Sequence, residues 1–178
     1  MLSCQSVEIS VNNRTKSKGT VLKMGTKRKT KGKAESNIPR KRILVVDDHP
    51  VMRKGIVQWI KQAPDLEVCG EAESVSDAVS LAEKSKPDLV LTDLSLKGGD
   101  GIELIKSLRA MNPELPVLVL SLYSELLYAR SALRAGARGY IMKKDGGERV
   151  VEAIREILRG KIAVSPKIQA RLRKPPVE

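Results

Sequence analysis

From residue 42 the chain alternates short β-rich runs with stretches of helical periodicity, five times over, and few folds accept that pattern. These short β-rich runs lie near residues 43–47, 66–71, 88–92, 116–120 and 139–142. Helical spacing fills about 50–62, 75–85, 101–111, 124–135 and 146–159. Turn chemistry agrees with these limits. Pro50 suits a first helical turn, Ser74 can cap the second helix, and Asp100-Gly101 opens the third. Pro87 and Pro116 stand at strand entrances, where a missing N–H does little harm, and Gly136 fits a left-handed cap on the fourth helix. Five such β-α units predict an α/β protein with a parallel sheet covered by helices on both faces. Right-handed crossovers leave few topologies, and the expected strand order is 2-1-3-4-5.

The residues that close the apolar runs are the chemical signal. Asp47 and Asp48 follow Ile43–Val46, and Asp93 follows Leu89–Thr92. Ser121 follows Val117–Leu120, and Lys143 follows Tyr140–Met142. In a parallel sheet all five side chains meet at one edge, where ligands of such sheets bind. Carboxylates gathered there repel one another and are best held by a hard divalent cation. Oxygen ligands favour Mg²⁺, with Mn²⁺ as the alternative. One strand-end aspartate would ordinarily be a turn or helix cap; it is the convergence that marks a site.

Net charge is +12, but it is unevenly spread. Residues 1–42 carry 12 Lys/Arg against 2 acidic residues, residues 43–164 carry 17 against 18, and residues 165–178 carry 4 against 1. The body is therefore nearly neutral, which argues against a general nucleic-acid-binding surface there. Residues 1–41 have few apolar side chains and are expected to form a basic disordered tail. That tail is either a solvated leader or an electrostatic arm for non-specific nucleic-acid contact. A start at Met24 instead of Met1 is an open alternative. Hydrophobic content of 41% supports a globular core, and with no Phe, one Trp and three Tyr that core must be aliphatic. No apolar stretch approaches the ~20 residues needed to cross a bilayer, so no membrane association is expected. Cys4 and Cys69 form no motif, which fits a reducing, cytoplasmic setting.

Several separated motifs carry a family resemblance. They are Ile43-Leu44-Val45-Val46-Asp47-Asp48-His49-Pro50, Pro87-Asp88-Leu89-Val90-Leu91-Thr92-Asp93-Leu94, Asp100-Gly101-Ile102-Glu103-Leu104, Ser121, and Gly136-Ala137-Arg138-Gly139-Tyr140-Ile141-Met142-Lys143. In order and spacing they resemble the CheY-like receiver domain of two-component response regulators. The beginning Asp47–Pro50 and the stretch Ala135–Tyr140 look most like the subfamily with a LuxR/NarL-type DNA-binding domain. The resemblance implies a flavodoxin-like (βα)5 fold over residues 42–160, with 161–178 a linker-like basic tail.

It also implies roles. Asp93 would be the phosphoacceptor, receiving its group from a sensor histidine kinase, a phosphotransfer protein or a small phosphodonor. Asp48 and Asp93 would hold Mg²⁺ directly, Asp47 through water, and Ser95 through its backbone carbonyl. Lys143 would pair with a phosphoryl oxygen and Ser121 would donate its hydroxyl to another. As Ser121 turned toward the phosphate, Tyr140 would rotate inward into the vacated space; the alternative is a core ring with a wet hydroxyl. His49 is assigned to the helix start, with a phosphoacceptor or ligand role as the alternative, and Trp59 to packing of the first helix. In this family the first and fifth helices, or the fourth-helix face, can form a homodimer. Lys97 and Lys144 stand where many receivers have Pro. Ser95 and Tyr123 occupy positions that tune the lifetime of the aspartyl phosphate in this family.

Gly160–Pro166 resembles the linker that leads to a helix-turn-helix domain of ~60 residues, and Lys167–Leu172 could begin its helix. Twelve residues follow Pro166, too few for a recognition helix with its supporting helices. The expectation is a signalling module that is not an enzyme, with a truncated LuxR-type transcription regulator as the alternative. A phosphohydrolase of the haloacid dehalogenase type would place Asp-x-Asp after the first strand, whereas here the acids there are adjacent. No Gly-x-x-x-x-Gly-Lys loop for nucleotide phosphates occurs.

Overall fold

The structure, a computed structural model, describes residues 39–97 and 99–172. In chain order its elements are β1 (Lys41–Val46), α1 (Pro50–Lys61), β2 (Leu66–Ala72), α2 (Val75–Ser85), β3 (Leu89–Thr92), β4 (Ser95–Leu96), β5 (Gly99–Asp100), α3 (Gly101–Met111), β6 (Val117–Ser121), α4 (Glu125–Ala135), β7 (Gly139–Met142), α5 (Gly146–Leu158) and α6 (Pro166–Leu172). A single 3-10 turn, Lys143–Asp145, joins β7 to α5. The five long strands form one sheet in the order β2-β1-β3-β6-β7 with every pairing parallel, so the expected 2-1-3-4-5 topology is present. The short pair β4-β5, antiparallel, was not expected from the sequence.

Local chemistry sets the helix ends. Pro50, with its fixed φ, opens α1 after His49. The Ser74 hydroxyl accepts the Asp77 N–H at 3.2 Å, and the Asp100 carboxylate accepts the Ile102 N–H at 2.9 Å, each satisfying a donor left free in the first turn. Gly136 ends α4 at φ 112°, a left-handed conformation that a side chain would strain.

Alternate residues of each strand point to opposite faces. Leu44, Val46, Val90, Val117, Val119 and Tyr140 pack against α2, α3 and α4. Ile43, Val45, Leu89, Leu91, Leu118, Leu120 and Ile141 pack against α1 and α5. Because both faces are covered, the strands read as continuous apolar runs and not as alternating ones. Trp59 is half-buried against the second cluster, as its place in α1 predicted, with its ring directly over Gly147 of α5.

The segment read as a linker packs onto the sheet edge. The Tyr140 N–H donates to the Ala163 carbonyl at 2.8 Å, and the Ala163 N–H donates to the Arg138 carbonyl at 3.0 Å. Beyond it, Ile168 of α6 is buried in the cluster that includes Ala129 and Ala132 of α4. The Ser165 hydroxyl donates to Glu125 at 2.7 Å. Among the described residues, no helix is long and apolar enough to cross a membrane. The readings of the basic arm, Cys4 and the Met24 start lie outside the described residues.

Candidate functional site

Strand register brings the marked residues together. Val46 of β1 pairs with Thr92 of β3, so Asp47 and Asp93 leave neighbouring strands side by side; the Asp93 N–H donates to the Val46 carbonyl at 3.0 Å. Ser121 of β6 pairs with Met142 of β7, which puts Lys143 next to leave the sheet. Among the described residues, the buried polar or charged side chains are Asp47, Thr92, Asp93, Ser121 and Lys143, and all five lie at this carboxyl edge.

Lys143 is the centre of the arrangement. Its ammonium donates to Asp47 Oδ2 and to Asp93 Oδ2, both at 2.7 Å. Burial by itself would push the ammonium pKa down, but the two carboxylates outweigh it and hold the group above its ordinary value. The other oxygens of these acids are also engaged. Asp47 Oδ1 accepts the His49 N–H at 2.9 Å, and Asp93 Oδ1 accepts the Leu94 N–H at 2.6 Å. α3 abuts the Asp93 loop so closely that a Cβ on Gly101 would lie 2.5 Å from the Asp93 carbonyl oxygen, which reserves that position for glycine.

Asp48 is different. Its Oδ1 is buried and takes no hydrogen bond, although His49 Nδ1 lies 2.7 Å away. Asp47, Asp48, His49 and Asp93 each offer a ligand atom, and these atoms lie within 4.8 Å of one another. Three carboxylates against one ammonium leave two net negative charges at this edge. A buried carboxylate oxygen without a donor, in a cluster short of two positive charges, fits a divalent cation. His49 joins this cluster as well as starting α1.

The switch candidates lie one strand further along. Ser121 is fully buried, and its hydroxyl accepts the Tyr123 N–H at 3.2 Å. Tyr140 is fully buried and donates its phenol to the Tyr123 carbonyl at 2.9 Å. The ring is therefore packed in the core with its hydroxyl held by the main chain. Burial pushes its pKa up to about 12; the Ser121 hydroxyl opposes the shift and the Asp93 charge adds to it. Ser95 begins the β4-β5 hairpin, where its hydroxyl donates to the Tyr123 phenol oxygen at 3.1 Å. With Asp48, Tyr123 and Tyr128 it lines a groove beside the acidic cluster. The Tyr123 and Tyr128 rings meet at 5.2 Å between centroids and 46° between planes. Hence Ser95 and Tyr123, singled out separately in the sequence, touch.

Known proteins share this fold. A family model described as the response regulator receiver domain matches residues 43–155. The response regulator GacA of Pseudomonas aeruginosa is 36% identical over 131 residues, covering 74% of this chain and 61% of GacA. The transcriptional regulatory protein DegU of Brevibacillus brevis is 32% identical over 126 residues, covering 71% of this chain and 53% of DegU. A crystal structure of a LuxR-family two-component response regulator from Aurantimonas sp. SI85-9A1 superposes with a TM-score of 0.70 at 35% identity, covering 74% of this chain and 94% of that one. The chain belongs to the response regulator receiver domain family, in its LuxR/NarL-type branch. It spans roughly half to two thirds of the length of the curated relatives it matches.

Proposed function

We propose that this chain accepts a phosphoryl group on Asp93 from a sensor histidine kinase or phosphotransfer protein and thereby switches a protein-interaction surface. The observation that carries this reading is the buried Lys143 ammonium shared between Asp47 and Asp93 at the edge of the sheet. A purely structural ion pair would need one carboxylate. Here there are two, with a third beside them whose buried oxygen takes no hydrogen bond.

The residues divide the work. A carboxylate oxygen of Asp93 forms a bond to phosphorus as the P–N bond of a phosphohistidine breaks, and the electron pair leaves on the imidazole nitrogen. Asp48 and Asp93 would hold Mg²⁺ directly, Asp47 through water and Ser95 through its carbonyl, with Mn²⁺ an acceptable substitute. Bound there, the ion offsets negative charge on the transferring group. Lys143 releases Asp93 and turns to a phosphoryl oxygen while it stays tied to Asp47, a move suited to a point charge with three rotatable donors. Ser121 exchanges the Tyr123 N–H for a second phosphoryl oxygen. The carbonyl of Tyr123 already holds the Tyr140 phenol. A change at Ser121 therefore reaches Tyr140 and the start of α4 through one residue. Output through a partner protein or a homodimer, with the basic arm adding non-specific attraction to nucleic acid, completes the proposal.

Mg²⁺-dependent labelling by acetyl phosphate, read by intact mass, tests it. Wild type gains one phosphoryl group, and Asp93→Asn gains none while keeping its circular dichroism spectrum. Labelling of Asp93→Asn would move the acceptor elsewhere. A wild type that takes neither the phosphoryl group nor beryllofluoride would reject the function.

A further inference from the structure

Asp47 and Asp48 sit in a three-residue connection between β1 and α1, and something must hold that connection still if the two acids are to meet a cation. The Asp47 N–H is held by the Ala72 carbonyl at 3.1 Å, from the end of β2. Its carbonyl is held by a side chain from the following helix: Arg53 Nη1 donates to Asp47 O at 2.6 Å. The same guanidinium donates through Nη2 to Glu73 at 2.7 Å and through Nε to Glu71 at 3.3 Å. Only 12% of the Arg53 side chain is exposed. Three donors in one rigid plane thus bind three acceptors, two at the end of β2 and just beyond it, and one on the main chain of a cluster acid. An ammonium could not span them.

We infer that Arg53 is a positioning residue for the cation site: it clamps the Asp47–His49 connection to the end of β2 and so sets how well Asp47 and Asp48 bind Mg²⁺. The inference rests on the proposed function for the site itself. Arg53 does not contact the carboxylates of the cluster; its bond is to the Asp47 main-chain oxygen. Without the clamp the connection can pivot about His49, and the two acids lose their registration with Asp93. Glu71 and Glu73 more than offset the guanidinium charge, so the device acts through geometry and not through repulsion of the ion.

Isothermal titration of the full chain with MgCl₂ tests this, alongside acetyl phosphate labelling at graded MgCl₂. Arg53→Met keeps the stem of the side chain and removes all three donors. It should raise the Mg²⁺ Kd about tenfold, the low end of the range for lost support behind metal ligands. The limiting rate of labelling at saturating MgCl₂ should return to that of wild type, which separates a positioning role from a catalytic one. Arg53→Lys should fall between, and Glu73→Gln, which loosens the anchor without touching Asp47, should raise the Kd by less than Arg53→Met does. If Arg53→Met does not fold, these two variants carry the test. A folded Arg53→Met with wild-type Kd, or one whose limiting rate stays depressed at saturation, overturns the role given to Arg53. A wild type that binds no Mg²⁺ overturns instead the reading of the site.

Discussion

In the middle of β1, β3 and β6 the buried side chains are aliphatic: Val45, Leu91 and Leu118 are 0–1% exposed. At the carboxyl ends of the same strands the buried groups are Asp47, Asp93 and Ser121, almost as well shielded from water, with Lys143 after β7. The two regions are contiguous, yet they are stabilised in opposite ways. The interior gains free energy from every methylene removed from water, and its residues are interchangeable within limits of volume. The edge loses free energy by desolvating charge and recovers it only while each charge keeps its partner. A protein that needed only to fold would extend the aliphatic core to the strand ends. Polar groups concentrated at one edge forgo the stability that aliphatic side chains would supply there.

Removing one member of the edge should break that contrast most sharply. Lys143→Met leaves the Asp47 and Asp93 carboxylates buried without their shared cation. The expected loss is about 3–5 kcal/mol in urea denaturation. Mg²⁺ should then stabilise the variant more than it stabilises wild type, because an additional negative charge awaits it. A loss below about 1 kcal/mol, the scale of an exposed pair, would mean that water already reaches the edge. In the interior, Leu118→Ala should cost a similar 2–5 kcal/mol by leaving a cavity, roughly as for other buried leucines. Mg²⁺ should restore no more of that loss than it adds to wild type. Equal rescue of both variants would dissolve the distinction between the regions.

Alkaline pH should act on the edge alone. The Lys143 pKa is raised, so its contribution is complete below the unfolded lysine value and is lost as pH climbs through the folded one. The Tyr140 phenol ionises near 10 when unfolded and at about 12 when folded, so the neutral ring also favours folding until the pH passes through that interval. Both contributions fall in the same direction. The urea midpoint should therefore decline between pH 10 and 12, and Tyr140→Phe should flatten the decline. A variant with an unchanged slope would show that another group dominates.

The smallest effect belongs to a charge pair far from the edge. Arg155 of α5 grips Asp65 with two bonds, at 2.8 and 2.5 Å, and this lowers the Asp65 pKa. Asp65 remains 44% exposed, so Asp65→Asn should cost no more than about 1 kcal/mol at neutral pH. That contribution is present above the unfolded aspartate value and fades as pH falls, the reverse of the behaviour at the edge. Salt should weaken it and leave the Lys143 cluster largely unaffected. A Lys143 contribution equally sensitive to salt would place that cluster in solvent.

Most of the fold is legible in the order of residues because the central strands β1, β3 and β6 are buried on both faces. Such strands read as aliphatic runs, and the polar residue that ends each of them marks the edge. Asp47, Asp48, Asp93, Ser121 and Lys143 stand out on that ground alone. Ser95-Leu96 and Gly99-Asp100 carry no comparable signal: each arm of that hairpin is two residues long, below the length at which periodicity exists. Ala163 looks like linker, because one residue pairing at a sheet edge leaves no pattern. Arg53 looks like a solvated helix residue, and no spacing in the sequence predicts a bond from its guanidinium to the Asp47 carbonyl.

By itself the sequence determined the five β-α units, the parallel sheet and the set of side chains at its carboxyl edge, since period, turn chemistry and strand length are local properties. Only the tertiary structure decided which oxygen each donor takes. Lys143 bridges Asp47 and Asp93, Asp48 is left with an open oxygen, Tyr140 lies inward on the Tyr123 carbonyl, and Arg53 clamps the acid-bearing connection. Those pairings join residues as many as 96 positions apart. A hydrogen bond depends on distances of a few tenths of an ångström, which packing sets and sequence separation does not.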